Sequence, residues 1–349
     1  MKVGIVGCGG IAPYHISAYK KLKNVEVVGL CDLNLERAKT LAAEFRVKNT
    51  YSNYWDMFKK GLDFVDICTP VSTHAKIVGD AAEAVPAILV EKPMALNVAE
   101  CDEIIKKVRK HGRKLCIGHS QLFSPHIQKA KEIADSEGFN LHCFRITFKA
   151  SFETMKSYGY APPWNITPEQ GGIIWEVCCH HAYLQLHFLP DIKEVYAVGG
   201  KVKYPVYDDF AIFLRTESDR FGIIELSWVS REFEVVYELR NPAGRRIQIL
   251  WEHDYMTELS EDPPFTVSRV ARNIYVDEKR LLKKWIRFGT CSINKRRLLP
   301  SFNLIRSYIE SIEKDLPPPV TPEDGRKTIN LLESIQKSLT EKKAIQLER

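Results

Sequence analysis

Glu91 and Lys92 stand side by side at the end of an apolar run, AILV at 87–90, and Pro93 follows directly. A strand that ends in two opposite charges is a place where chemistry can be done. A lysine held partly out of water has its pKa pulled toward neutrality, which suits it to move a proton to or from a hydroxyl. Glu91 could orient that lysine or bind a ligand hydroxyl, and Pro93 would hold the turn rigid. A second pair lies further on. Gly171-Gly172 precede a segment with helical patterning that carries Glu176 and His180, four residues apart and so on one helical face. The run Cys178-Cys179-His180-His181 has metal-ligating side chains. Consecutive helical residues point about 100° apart, however, and cannot wrap one ion, and structural zinc sites space their cysteines differently. No metal site is expected, and no nucleophile triad is evident.

A third constellation opens the chain. Gly7, Gly9 and Ala12 form G-x-G-x-x-A between a short apolar run and a helical pattern. In such a turn the first glycine makes the bend, the second lets the backbone approach a pyrophosphate, and the small third residue packs the helix on its strand. The backbone from Gly7 through Gly9, Gly10 and Ile11 would therefore cradle a dinucleotide at a helix N-terminus. Asp32 lies twenty residues after Ala12, at the end of the second apolar run. An acid there accepts hydrogen bonds from a ribose and repels a 2′-phosphate, and Leu33 and Asn34 follow it, so NAD is expected over NADP. Thr69-Pro70, with His74 in the following turn, end a further strand on the same side and are expected to line the cofactor, as is Glu91.

The elements that must position these residues alternate. Lys2–Val6, Val25–Cys31, Phe64–Thr69, Ala87–Val90 and Lys114–Gly118 read as strands, and helical patterns of about ten residues separate them. Their apolar runs are continuous, as in a parallel sheet covered on both faces. Beyond about Phe123 the pattern changes to alternation: 141–149, 192–202, 210–214, 221–228, 232–239 and 246–251 read as strands of an antiparallel sheet. Helices are expected at about 301–314 and 322–341.

A chain of 349 residues suggests two domains. Its net charge of +6 is too mild to imply nucleic acid and suits an anionic cofactor or substrate. Nine cysteines without a CxxC pair read as reduced core residues of a cytoplasmic protein. The N-terminus reads as a strand, not a signal peptide, and no apolar run is long enough to span a membrane. Residues 279–297 carry eight Lys or Arg with Leu281, Leu282, Trp285 and Ile286 on one face. They read first as a solvated amphipathic helix packed on its own sheet or a sister subunit, with a phosphate-bearing substrate or a membrane surface as alternatives.

Together these segments resemble the Gfo/Idh/MocA family of NAD(P)-dependent oxidoreductases. The matching pieces are VGCGGIA at 6–12, DLNLERA at 32–38, ICTPVSTH at 67–74, VEKPMAL at 90–96, GGIIWEVCCHH at 171–181 and PPVTPEDGRKTINLLESIQKS at 318–338. The resemblance implies a Rossmann domain at 1–121 and, at 122–349, an α+β domain with a large open, mainly antiparallel sheet. That sheet would carry the contact of a homo-oligomer, a dimer or tetramer, and substrate would bind between the domains. It implies hydride transfer between nicotinamide and a secondary alcohol or ketone of a sugar, nucleotide-sugar or cyclitol. Lys92 and His180 would be the acid/base groups. The family acid is usually Asp where this chain has Glu176, which would orient Lys92, bind substrate or reshape the pocket. Trp164 matches a family tryptophan beside the nicotinamide, but Asn165 follows it in place of Arg. Likewise Ser120, Gln121, Leu122 and Phe123 replace a frequent Asn-Arg-Arg-Phe. Two other readings stay open: a catalytically silent NAD-binding regulator, and a lyase or hydrolase that uses NAD transiently.

Overall fold

The apolar runs of the first 120 residues build one parallel sheet in this computed structural model. It describes residues 1–157, 166–168, 171–250, 255–259 and 293–347. The six strands are β1 (Lys2–Val6), β2 (Glu26–Cys31), β3 (Asn49–Tyr51), β4 (Phe64–Ile67), β5 (Ala87–Val90) and β6 (Lys114–Ile117). Their order is β3-β2-β1-β4-β5-β6 and every pairing is parallel. Strands β4 and β5 are buried at every position, because helices cover both faces. The covering helices include α1 (Ala12–Tyr19), α2 (Leu35–Phe45), α3 (Tyr54–Phe58), α4 (His74–Ala84) and α5 (Val98–Lys110). The order reverses beside β1, where β2 and β4 flank it, so the carboxyl ends of β1, β2 and β4 open a crevice at a topological switch point. Strand β3 was not expected. It is three residues long, too short for its alternation to be read.

After α6 (Pro125–Ala134) the chain enters a second sheet. Its strands are β7 (Cys143–Ser151), β8 (Ile192–Gly200), β9 (Asp209–Thr216), β10 (Phe221–Ser227), β11 (Val229–Arg240), β12 (Arg246–Leu250), β13 (Tyr255–Leu259) and β14 (Ile345–Gln346). They run in the order β13-β12-β11-β7-β10-β9-β8-β14, with β7–β10 the one parallel pairing among the described residues. One face is packed: β9 alternates buried and open residues, as a half-covered antiparallel strand must. The helices α7 (Phe152–Ser157) and α8 (Cys179–Phe188) belong to this half.

Two long helices follow, and the second packs on elements of both halves. They are α9 (Ile293–Glu313) and α10 (Pro322–Glu341), which starts in a capping box of Thr321 and Asp324. Tyr308 of α9 is fully buried. Its hydroxyl donates toward the carbonyls of Ile88 and Lys114 at 2.8 and 3.1 Å and accepts the Ile88 N–H at 3.0 Å. Gly325 of α10 lies so close to Met94 that a Cβ there would stand 2.6 Å from its sulfur. The last helix thus presses on the Lys92 loop. Among the described residues no helix is long and apolar enough to cross a membrane, and the eight described cysteines are free and buried.

Candidate active site

The Gly-rich turn fits a dinucleotide. Gly7 has φ +95°, and a Cβ there would meet the Cys68 backbone at 2.7 Å, so only glycine makes this bend. A Cβ built at Gly9 or Gly10 meets nothing within 4 Å, which leaves open space on the ligand side. Helix α1 begins at Ala12, with Ile11 before it giving no side-chain cap, and its positive end faces that space. Asp32 is pinned: one carboxylate oxygen accepts the Cys8 N–H at 2.9 Å and the other the Asn34 N–H at 2.8 Å. Leu33 beside it is 94% exposed. Arg37 Nη1 reaches back to 3.6 Å from Asp32, although it lies a helical turn away and does not follow the acid directly. Thr69 and Pro70 sit open at the end of β4.

His74 does not belong to this lining. Its ring is fully buried and lies between the carbonyls of Thr69 and Pro93, 2.8 Å from each. It braces the β4 turn against the proline turn, and a direct cofactor contact is excluded by burial. Glu91 departs from expectation too. One of its oxygens is 3.1 Å from His15 Nε2 and the other accepts the Lys92 N–H at 3.2 Å. Its carboxylate is bonded to the protein on both oxygens and keeps 12% of its side-chain surface exposed.

Behind Glu91 lies a buried cluster. His15, 1% exposed, has Nδ1 2.7 Å from Asp66, whose same oxygen accepts the Tyr19 hydroxyl at 2.8 Å. Both ring nitrogens face carboxylates, so the ring is an imidazolium. Burial pulls its pKa down, and Asp66 outweighs that and holds it well above the usual histidine range. His15, Asp66 and Cys68 place ligating atoms within 4.8 Å of one another. Those atoms are already engaged with each other, with Tyr19 and with Glu91. The signal in the sequence is Asp66 itself, an acid inside the apolar run FVDICT, which must be paired if the strand is buried.

Lys92 points the other way, across to the second half. Its Nζ donates to Glu176 Oε1 at 2.8 Å and to the Glu176 carbonyl at 3.0 Å. The lysine side chain is 8% exposed and the glutamate 33%. Lysine and proline are joined by a cis peptide bond. The expected depression of the lysine pKa does not occur. Burial does lower it, but the Glu176 carboxylate with smaller help from Cys179 and Glu91 leaves it above the ordinary lysine value. Sequence could not show this, because the counter-charge comes from a residue eighty-four positions away.

Glu176 sits in a π-helical turn, Ile174–Cys178, that leads into α8. Gly171 and Gly172 start it at φ +78° and +60°, packed against Trp175 and Val206. Trp175 Nε1 donates to the Leu96 carbonyl at 3.1 Å, tying this turn to the Lys92 loop. The i→i+5 bonding of a π turn breaks the simple i,i+4 register. Glu176 and His180 therefore reach different partners. His180 Nδ1 lies 2.8 Å from the Tyr183 hydroxyl. Burial first, then the charge of Lys92, holds the His180 pKa well below the usual value, so the ring is neutral. A neutral ring has no second proton to give, which fits its expected part as an acid poorly. His119 and His181 are likewise neutral, pushed down to about 3 by burial.

Trp164, Asn165 and the basic segment from 279 to 292 lie outside the described residues. Reasoning from sequence missed Tyr183, Tyr237 and His15. Gln121 appeared there only as a departure from a motif. Here its N–H donates to Tyr183 at 3.2 Å and its side chain accepts from Tyr237 at 3.2 Å.

Comparison with known proteins bears on the family and the fold. A model described as oxidoreductase family, NAD-binding Rossmann fold, matches residues 1–119, and one for the GFO/IDH/MocA C-terminal domain matches residues 127–251. The chain is 28% identical to the oxidoreductase YrbE of Bacillus subtilis over 235 residues, 64% of this chain and 66% of that protein. It is 23% identical to myo-inositol 2-dehydrogenase of Thermotoga maritima over 360 residues, 100% of this chain and 99% of that protein. An oxidoreductase from Agrobacterium radiobacter, solved with NAD+, L-tartaric acid and magnesium, superposes with a TM-score of 0.80 at 18% identity, covering 99% of this chain and 98% of that one.

Proposed function

The chain belongs to the GFO/IDH/MocA family of NAD-binding oxidoreductases, and from that premise we propose that it oxidises a secondary alcohol of an uncharged sugar or cyclitol, or reduces the matching ketone, at Lys92. The observation that carries this reading is the Lys92–Glu176 pair, which joins the end of the Rossmann sheet to the second half at 2.8 Å. When bound, NAD takes up the hydride in oxidation and returns it in reduction. Lys92 receives the hydroxyl proton in oxidation and gives it back in reduction. Glu176, one-third exposed, exchanges that proton with solvent. His180, neutral, holds the reacting oxygen by a hydrogen bond. Lys92 and Glu176 cancel in charge, which favours a substrate without charge at its reacting end. Myo-inositol, named for the Thermotoga maritima relative, has that chemistry. The division at 121/122 is part of the same reading: substrate enters between the halves.

Tyr196, Val198 and Phe213 are exposed on one face of β8 and β9. We take that face as the surface through which copies associate. Light scattering on a Phe213→Glu variant tests it; an unchanged mass would reject it.

The test of the activity is absorbance of NADH with purified protein, NAD and a panel of sugars, inositols and nucleotide-sugars, with Lys92→Ala alongside. NADH is expected with one neutral polyol class and lost in the variant. NAD binding without reduction across the panel would favour the silent regulator. No binding of NAD would sink the reading.

A further inference from the structure

The Tyr183 hydroxyl stands between two partners. The Gln121 backbone N–H donates to it at 3.2 Å, and His180 Nδ1 lies 2.8 Å away. Tyr183 is 3% exposed, and among the described residues its hydroxyl has no other partner. A phenol has a single proton to give. With an N–H arriving from Gln121, that proton has one acceptor in reach, Nδ1 of His180. The opposite arrangement, Nδ1–H donating to the phenol, would leave a buried O–H unpaired, which folded proteins avoid. A neutral imidazole with an unprotonated Nδ1 carries its proton on Nε2.

We infer that Tyr183 is a positioning residue that locks His180 in the Nε2–H tautomer, so that His180 offers the reacting oxygen a hydrogen-bond donor and leaves proton transfer to Lys92. The frame holding Tyr183 is drawn from three parts of the fold. His119, at the end of β6, stacks on its ring at 4.2 Å and 16°. Gln121, in the 3₁₀ turn Ser120–Phe123, supplies the N–H. Tyr237 of β11 donates to the Gln121 side chain at 3.2 Å and steadies that turn. A donor of this kind stabilises negative charge developing on an alcohol oxygen as its proton leaves. A histidine fixed in one tautomer does so without reorganising. The catalytic half of this inference rests on the proposed dehydrogenase reading; the tautomer does not.

The experiment is long-range proton–nitrogen correlation NMR on the full chain with ¹⁵N-labelled histidine, His180 being assigned with a His180→Gln variant. The expected spectrum has His180 neutral, Nδ1 unprotonated and Nε2 protonated. Tyr183→Phe removes only the hydroxyl and is expected to move both resonances toward a mixture of tautomers. With an active substrate, the same variant should lower kcat tenfold or more with little change in KM or NAD affinity. Nδ1–H or imidazolium in the wild type, or an unmoved spectrum in Tyr183→Phe, would overturn the inference. If that variant fails to fold, the wild-type spectrum decides alone. A locked tautomer in a protein that turns over no substrate would leave the inference standing and count against the dehydrogenase instead.

Discussion

Glu91 and Lys92 are neighbours in the chain and live in different surroundings. Glu91 turns back to His15, in a largely closed cluster: His15 and Asp66 are 2% and 0% exposed at their side chains and Glu91 12%. Lys92 turns forward to Glu176, whose carboxylate reaches water. Both are charge pairs at about 3 Å. In the first, both carboxylates beside the ring are spent on holding it. The other can exchange its proton and so can serve chemistry. What sets the two pairs apart is how far the carboxylate reaches water: Glu91 is 12% exposed and Glu176 33%.

The sharpest way to break this comparison is Lys92→Met. Loss of a positioned acid/base group should lower turnover by about 10²–10⁴-fold, with NAD affinity and melting temperature nearly unchanged in fluorescence titration and calorimetry. Turnover within a few-fold of wild type would return Lys92 to a structural role.

The opposite signature is expected for His15→Asn. Removing the imidazolium strands two buried carboxylates, and breaking a buried pair costs about 3–5 kcal/mol, read by urea unfolding. The sign of the pH effect is also set. The folded pKa is raised over the unfolded value of about 6.5. The charged ring thus contributes stability that is complete below that value and lost as pH rises through the folded pKa. Wild-type stability should fall with rising pH in that window, and the variant should lack that fall. A variant as stable as wild type would show that the cluster is not a brace.

Glu176→Gln sharpens the other side. The carboxylate raises the lysine pKa, and oxidation needs neutral lysine, so the oxidative rate climbs with pH through that value. The amide should move this limb toward acid, because it removes the opposite charge that raises the lysine pKa. A limb that stays in place would remove Glu176 from the pair.

The smallest effect belongs to Glu91→Gln. Glu91 also raises the lysine pKa, but as the weakest of the named influences. The same limb should shift in the same direction by less than in Glu176→Gln. An equal or larger shift would mean that the two pairs are not separate.

The amino-acid sequence by itself determined much of this. The period of the apolar residues specified a parallel sheet and then an antiparallel one, because burial on two faces or one leaves a different pattern. Gly7 was legible because a tight turn demands a residue type at a fixed position, and Asp32 because an acid ends the second apolar run at a fixed spacing from it. Lys92 was legible because a charge at the end of an apolar strand has few bland explanations. The tertiary structure alone decided what each group faces. Nothing near Lys92 in sequence revealed that Glu176 would hold its proton on. Tyr183 lies one helical turn from His180 in α8, but helical spacing alone did not reveal that its hydroxyl meets Nδ1, or that His74 and Glu91 bond to other parts of the protein. Those outcomes depend on which distant side chain ends within 3 Å and how much water remains. Local pattern fixes the elements; electrostatics at contact range fixes the roles.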